Sequence, residues 1–118
     1  MTDSRLDFLD EMWAKFSPIA RQRVDDLERY VAAAQSGEAG EDLRDAAEWA
    51  AHKLVGALGS FRREGSAEAA VAERLVRTHA PVADLDPVVR TLRALVDAPA
   101  ADEGRPQVAA RPLTNPPG

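Results

Sequence analysis

The chain has 118 residues, a net charge of −5 at pH 7 and no cysteine. That length suits one domain. The acidic balance argues against nucleic acid or an anionic membrane as partner, since both reward a basic surface. Without cysteine there is no disulfide and no thiolate metal site. The two histidines, His52 and His79, lie too far apart in sequence for a histidine-based metal site. No apolar run approaches the roughly 20 residues of a membrane span. The start, Met1-Thr2-Asp3-Ser4-Arg5, lacks the basic-then-apolar layout of a signal peptide. The expected location is the cytoplasm. Alanine, leucine and arginine dominate, which favours helix over strand.

The first apolar stretch, Leu6 to Phe16, carries Leu6, Phe8, Leu9, Met12, Trp13 and Phe16. On a helical wheel these fill a face about 160° wide, more than one amphipathic stripe needs. Part of it suits a core, and Phe8 and Met12 are left for a partner. Ser17-Pro18 reads as a cap followed by proline at the first helical position. The spacing of Ile19, Arg23, Leu27, Tyr30, Val31 and Ala34 then predicts a second helix over 18–35. Ser36-Gly37 ends it, with glycine as the C-terminal cap. A third helix is predicted from Glu41 to Arg63, acidic in its first turn and basic in its last. Ser66 reads as the cap of a helix over 67–78, with Ala70, Val71, Leu75 and Val76 on one side. His79-Ala80-Pro81 stops that helix, and His79 suits its negative end. Asp86-Pro87 reads as the start of a last helix that carries Val88, Val89, Leu92, Leu95 and Val96 and ends near Ala98. From Pro99 to Gly118 the periodicity fails among proline, glycine and polar residues, the pattern of a disordered tail. The expected fold is all-α: an up-and-down four-helix bundle over residues 1–98, with an additional short N-terminal helix.

The stretch from Ala50 to Phe61 organises the functional reading. It places His52 inside a helix together with Gly56 and Gly59. An interior glycine costs a helix about 1 kcal/mol relative to alanine. With His52 at 0° and about 100° per residue, Ala47, Ala50, Leu54, Leu58, Leu43 and Phe61 fall on the opposite side. Asp45, Glu48, Gly56 and Gly59 fall within about 40° of the histidine, and Trp49 and Val55 flank it at about 60°. The predicted His52 therefore faces solvent, and the glycines leave an approaching body room. A neutral imidazole there is a nucleophile at cytoplasmic pH. Glu48, one turn earlier, is placed to orient one ring nitrogen. The chain has no phosphate-binding glycine loop, no nucleotide motif and no nucleophilic serine or cysteine with a base. Any group that His52 accepts must come from another protein.

The residues Ala51-His52-Lys53-Leu54-Val55-Gly56, then Leu58-Gly59 and later Ala72-Glu73-Arg74-Leu75, resemble a histidine-containing phosphotransfer domain of two-component signalling. The family pattern is His-x-Leu-Lys-Gly on a helix of a four-helix bundle, and the resemblance covers roughly residues 5–97. It implies that His52 accepts a phosphoryl group from a receiver-domain aspartate and passes it to another. It implies partners among response-regulator receivers and a hybrid histidine kinase, and a monomer that acts as a stoichiometric carrier. It implies no cofactor of the chain's own, with Mg²⁺ supplied by the receiver. Gly56 and Gly59 would admit the receiver, Leu54 would anchor the helix, and Phe8, Met12, Trp49 and Val55 would border the contact. The family's lysine, three residues after the histidine, is Val55 here, which leaves Lys53 as the nearby candidate for a phosphate contact. The same residues are open to a second reading, a non-catalytic helical module that binds receiver or kinase domains.

Overall fold

The computed structural model describes residues 4–98; the tail expected over 99–118 lies outside the described residues. The described residues form four helices and no strand: α1 (Ser4–Gln35), α2 (Glu41–Ser60), α3 (Ser66–Arg77) and α4 (Val82–Asp97). Each packs on its neighbours in the order α1–α2–α3–α4, and α4 closes back on α1. None of the described helices is long and apolar enough to cross a membrane.

The expected break at Ser17-Pro18 is absent. α1 runs through it as one helix of 32 residues, so among the described residues the expected short N-terminal helix is part of α1. Pro18 has no N–H to give the carbonyl of Ala14, four residues back. The buried Ser17 hydroxyl donates to that carbonyl instead, at 3.3 Å. Arg21 Nη1 donates in turn to Ser17 Oγ at 3.4 Å. The serine therefore repairs the helix rather than starting one. Within α1 the buried line is Trp13, Ala20, Val24, Leu27, Tyr30 and Val31. Ile19, which fits the apolar spacing, is 40% exposed because Ala20 and Val24 set the core face.

The last helix also differs from expectation. It begins at Val82, not at Asp86-Pro87, so Pro87 lies inside it. Leu85 explains the earlier start: it is buried to 2% and joins Val89, Leu92 and Val96 in the core. Pro87 leaves only the carbonyl of Ala83 without its partner, and Ala83 is exposed to water. Asp86 caps nothing. It pairs with Arg90 one turn on, at 3.2 Å. In α3 the buried face is Ala69, Ala72 and Val76, whereas Ala70 is exposed.

Three helix ends share one capping arrangement. After α1, Gly37 takes φ 73°, its N–H donates to Ala34 and that of Glu38 to Ala33. Arg62 and His79 occupy the matching left-handed position after α2 and α3, at φ 57° and 58°. Their following residues close the same long bond: Arg63 N–H to Leu58 O at 2.8 Å, and Ala80 N–H to Leu75 O at 2.9 Å. α2 therefore ends at Ser60, short of the expected Arg63. This frees Phe61 to turn inward, and its ring meets Trp13 at 5.6 Å and Phe16 at 5.3 Å between centroids. His79 acts at its helix end through its backbone.

Gly65 sets the start of α3. Its φ of 115° belongs to glycine, and an added Cβ would stand 3.1 Å from Leu95 Cδ1 and 3.2 Å from Leu58 Cδ1. Ser66, expected to cap α3, instead donates to the carbonyl of Val55 at 3.0 Å and ties α3 to α2. Across the molecule, Arg93 of α4 grips Glu28 of α1 through two nitrogens at 2.9 and 3.0 Å, and also pairs with Asp25. The hydrogen bonds that Arg93 donates to Glu28 hold the guanidinium in its charged form and raise its pKa further. Partial burial works against this, and Asp25 adds to the rise.

Two substitutions test these turns by urea unfolding. Gly65→Ala combines a disfavoured φ with crowding against Leu58 and Leu95 and should cost about 1–3 kcal/mol. Arg62→Gly relieves a left-handed arginine and should gain about 0.5 kcal/mol. Equal stability of Gly65→Ala and wild type would contradict the described turn.

Candidate functional site: the exposed histidine of α2

Ala47, Ala50, Ala51, Leu54 and Leu58 of α2 are fully buried. Their periodicity turns the opposite face of the helix outward, and His52 has a side chain 68% exposed. Gly56 and Gly59 lie exposed on the same face. A Cβ added at Gly56 would meet nothing within 4 Å, and one at Gly59 would meet only Ser66 Oγ at 3.7 Å. Neither glycine is there to let another helix approach. Both leave the surface beside the imidazole low.

The ring is oriented from another helix than expected. His52 Nδ1 lies 3.1 Å from Glu73 Oε2 of α3. An ionised carboxylate only accepts hydrogen bonds, so the shared proton belongs to Nδ1. In the neutral ring this leaves the Nε2 lone pair free. Glu48, the residue expected in this role, instead lines a hollow of about 240 Å³ with Asp45, Trp49, His52 and Glu73. Glu73 Oε2 also lies 3.6 Å from Arg77 Nη1, one turn further along α3. A signal for Glu73 was present in the sequence. Residues 52 and 73 are equally far from the turn at Arg62-Arg63, so an antiparallel pair sets them at one height.

The other expected residues fall around this centre. Lys53 is exposed, and its ammonium lies 5.5 Å from the centroid of the Trp49 ring. The Arg23 guanidinium of α1 lies over the same ring at 4.2 Å. Val55 is half-buried and packs against the core. Arg63 stacks on Trp13 at 4.7 Å and donates to the carbonyl of Ala98.

Phe8 is 58% exposed, Trp49 48%, and Met12 half-buried. Phe8 also lines a hollow with Leu9, Ser60 and Arg62, which brings the N-terminal part of α1 against the end of α2. At about 100° per residue, Phe8, Ile19, Met12 and Arg23 share a face of α1 about 60° wide. Arg23 touches Trp49 of α2, so that face borders the histidine's own. The exposed large apolar side chains Phe8, Ile19 and Trp49 thus gather on the side of the molecule that carries His52. Ile19 was not expected among them, because its spacing matches the core pattern of α1.

Among the described residues, no group of three or more histidine, aspartate or glutamate side chains is arranged to hold a metal ion. No protein-family model, curated protein or solved structure matches this chain.

The tautomer is directly measurable. Ring ¹⁵N shifts of His52 should report the Nδ1-protonated form in the neutral wild type. Glu73→Ala should move the population toward Nε2–H, while Glu48→Ala leaves it in place. An unchanged spectrum in Glu73→Ala would contradict the described hydrogen bond.

Proposed function

We propose that this chain is a phosphorelay intermediate of the histidine-containing phosphotransfer type, an up-and-down four-helix bundle that carries a phosphoryl group on His52. The observation that carries the reading is the exposed imidazole whose Nδ1 proton is held by Glu73, which leaves Nε2 as the outward nucleophile. In the forward step the Nε2 lone pair attacks phosphorus in a receiver's aspartyl phosphate. The N–P bond forms as the acyl P–O bond breaks, and the receiver's carboxylate leaves with that bond's electrons. The proton stays on Nδ1, hydrogen-bonded to Glu73, so no base has to take it up. Attack by a second receiver's aspartate reverses the step. Such transfer depends on in-line positioning and on charge neutralisation more than on covalent assistance. The receiver supplies the Mg²⁺ and most of the neutralising charge.

The surroundings of His52 support docking of a partner over it. Trp49 offers apolar area beside the ring, and Phe8, Met12 and Ile19 extend it along the neighbouring face of α1; aromatic anchors of this kind carry much of the energy of an interface. Gly56 and Gly59 let a second body reach the imidazole without a side chain in the way. One observation favours a receiver-binding module that does not transfer: Val55 is half-buried and apolar where the resembling family has lysine. Transfer and binding are separable by experiment.

Incubation with phosphorylated receivers of the cognate cell should give acid-labile, base-stable label on wild type and none on His52→Gln. Gly56→Leu should keep the fold, since nothing stands within 4 Å of its Cβ, yet lose transfer by roughly 100-fold or more through misplacement of the reacting atoms. Receiver binding that survives in His52→Gln, with no label on wild type from any receiver, would replace phosphotransfer by the binding module.

A further inference from the structure

We propose that Arg77 holds the phosphoryl group on His52, its guanidinium bridging the Glu73 carboxylate and the phosphoryl oxygens. The proposal rests on the phosphotransfer reading of His52. A phosphoryl group on Nε2 brings up to two negative charges to a site where Asp45, Glu48 and Glu73 already line the hollow beside the ring. Like charges at that range oppose the modified state unless a cation stands among them. Position 55, on the histidine's own helix, holds a half-buried valine.

The nearby cations differ in where their charge is placed. Lys53 and Arg23 both lie over the Trp49 ring. Arg63 lies over Trp13 and donates to Ala98. Arg77 has a different position. Its Nη1 is 3.6 Å from Glu73 Oε2, the same oxygen that accepts from His52 Nδ1. The imidazole and the guanidinium are therefore held by one carboxylate atom. The Arg77 side chain is 53% exposed, so it is free to swing toward the outer side of the ring. Guanidinium carries five N–H donors in a fixed fork and serves two anions at once. In the unmodified protein Arg77 partly neutralises Glu73; in the phosphorylated protein it keeps that ion pair and adds the phosphoryl oxygens. Glu73 thereby positions both the nucleophile and the cation that holds the product.

Phosphoramidate labels histidine without any receiver, so it tests Arg77 apart from the relay. The full chain is labelled and the phosphoryl group is followed at His52 by peptide mapping, because His79 is exposed too, and by ³¹P NMR. Arg77→Ala should shorten the lifetime of phosphoryl-His52 about two- to fivefold, the range of a partly exposed ion pair, and shift its ³¹P resonance. Arg77→Lys, which keeps the charge, should restore most of the lifetime. A thermal melt of each unlabelled variant checks the fold. Wild-type lifetime and resonance in Arg77→Ala would overturn the proposal. So would a lysine variant no better than alanine, or a chain that takes no label at His52. A chain that labels with phosphoramidate but with no receiver would sink the relay while the Arg77 comparison stands.

Discussion

The burial of one side of α2 is the constraint on which the rest of the structure depends. Ala47, Ala50, Ala51, Leu54 and Leu58 have no exposed area. With 3.6 residues per turn, that face fixes the opposite one without further choice. His52 lies outside because Leu54, two residues on, lies inside. The alanines matter as much as the leucines. Small side chains on the buried face let α1 and α3 both come close to α2, while its outer face is reached only by side chains from their flanks, Glu73 at His52 and Arg23 at Trp49. A site built this way is rigid where it is anchored and open where it acts.

A second constraint sets the height of α3 against α2. Gly65 turns the chain with a φ that only glycine takes easily. Its missing side chain lets Leu58 and Leu95 close over the turn. Ser66 then bonds to Val55, and Glu73 meets His52 two helical turns further along. These two links make the orientation of the imidazole a property of the α2–α3 pair. The ring's hydrogen bond thus depends on residues more than ten positions away.

The outward face of α2 was legible in the sequence because it follows from periodicity alone. The exposure of His52, Gly56 and Gly59 follows from that signal, the all-helical class from composition, and the end of α1 from the glycine at Ser36-Gly37. What was misread shares a different cause. Ser17-Pro18 and Asp86-Pro87 carry the local signature of helix starts, yet both prolines lie inside helices. In α1 a serine hydroxyl replaces the lost backbone donor. In α4, burial of Leu85 outweighs one carbonyl left to water. Tertiary burial decided both cases, and a local motif does not contain it. Arg62 and His79 defeated expectation in the opposite sense: left-handed residues without a glycine to announce them. Glu48 is the candidate that the sequence suggests, because it shares a helix with His52. The partner came from another helix, through a register that only the turn defines. Ile19 stood hidden in the core pattern of α1 for the same reason: spacing places it on a face, and packing decides which part of that face is covered.

The exposed apolar side chains and the free ring nitrogen lie on one side of the molecule, and the account joins them into a single surface for a phosphorylated partner. The most direct test of that claim is where phosphorus sits after reaction with a phosphorylated receiver. Phosphorus–nitrogen coupling in the ¹⁵N-labelled chain reads this out atom by atom. The account predicts one adduct, on Nε2 of His52, with the Nδ1 proton retained. An adduct on Nδ1, on His79, or on no residue would contradict it.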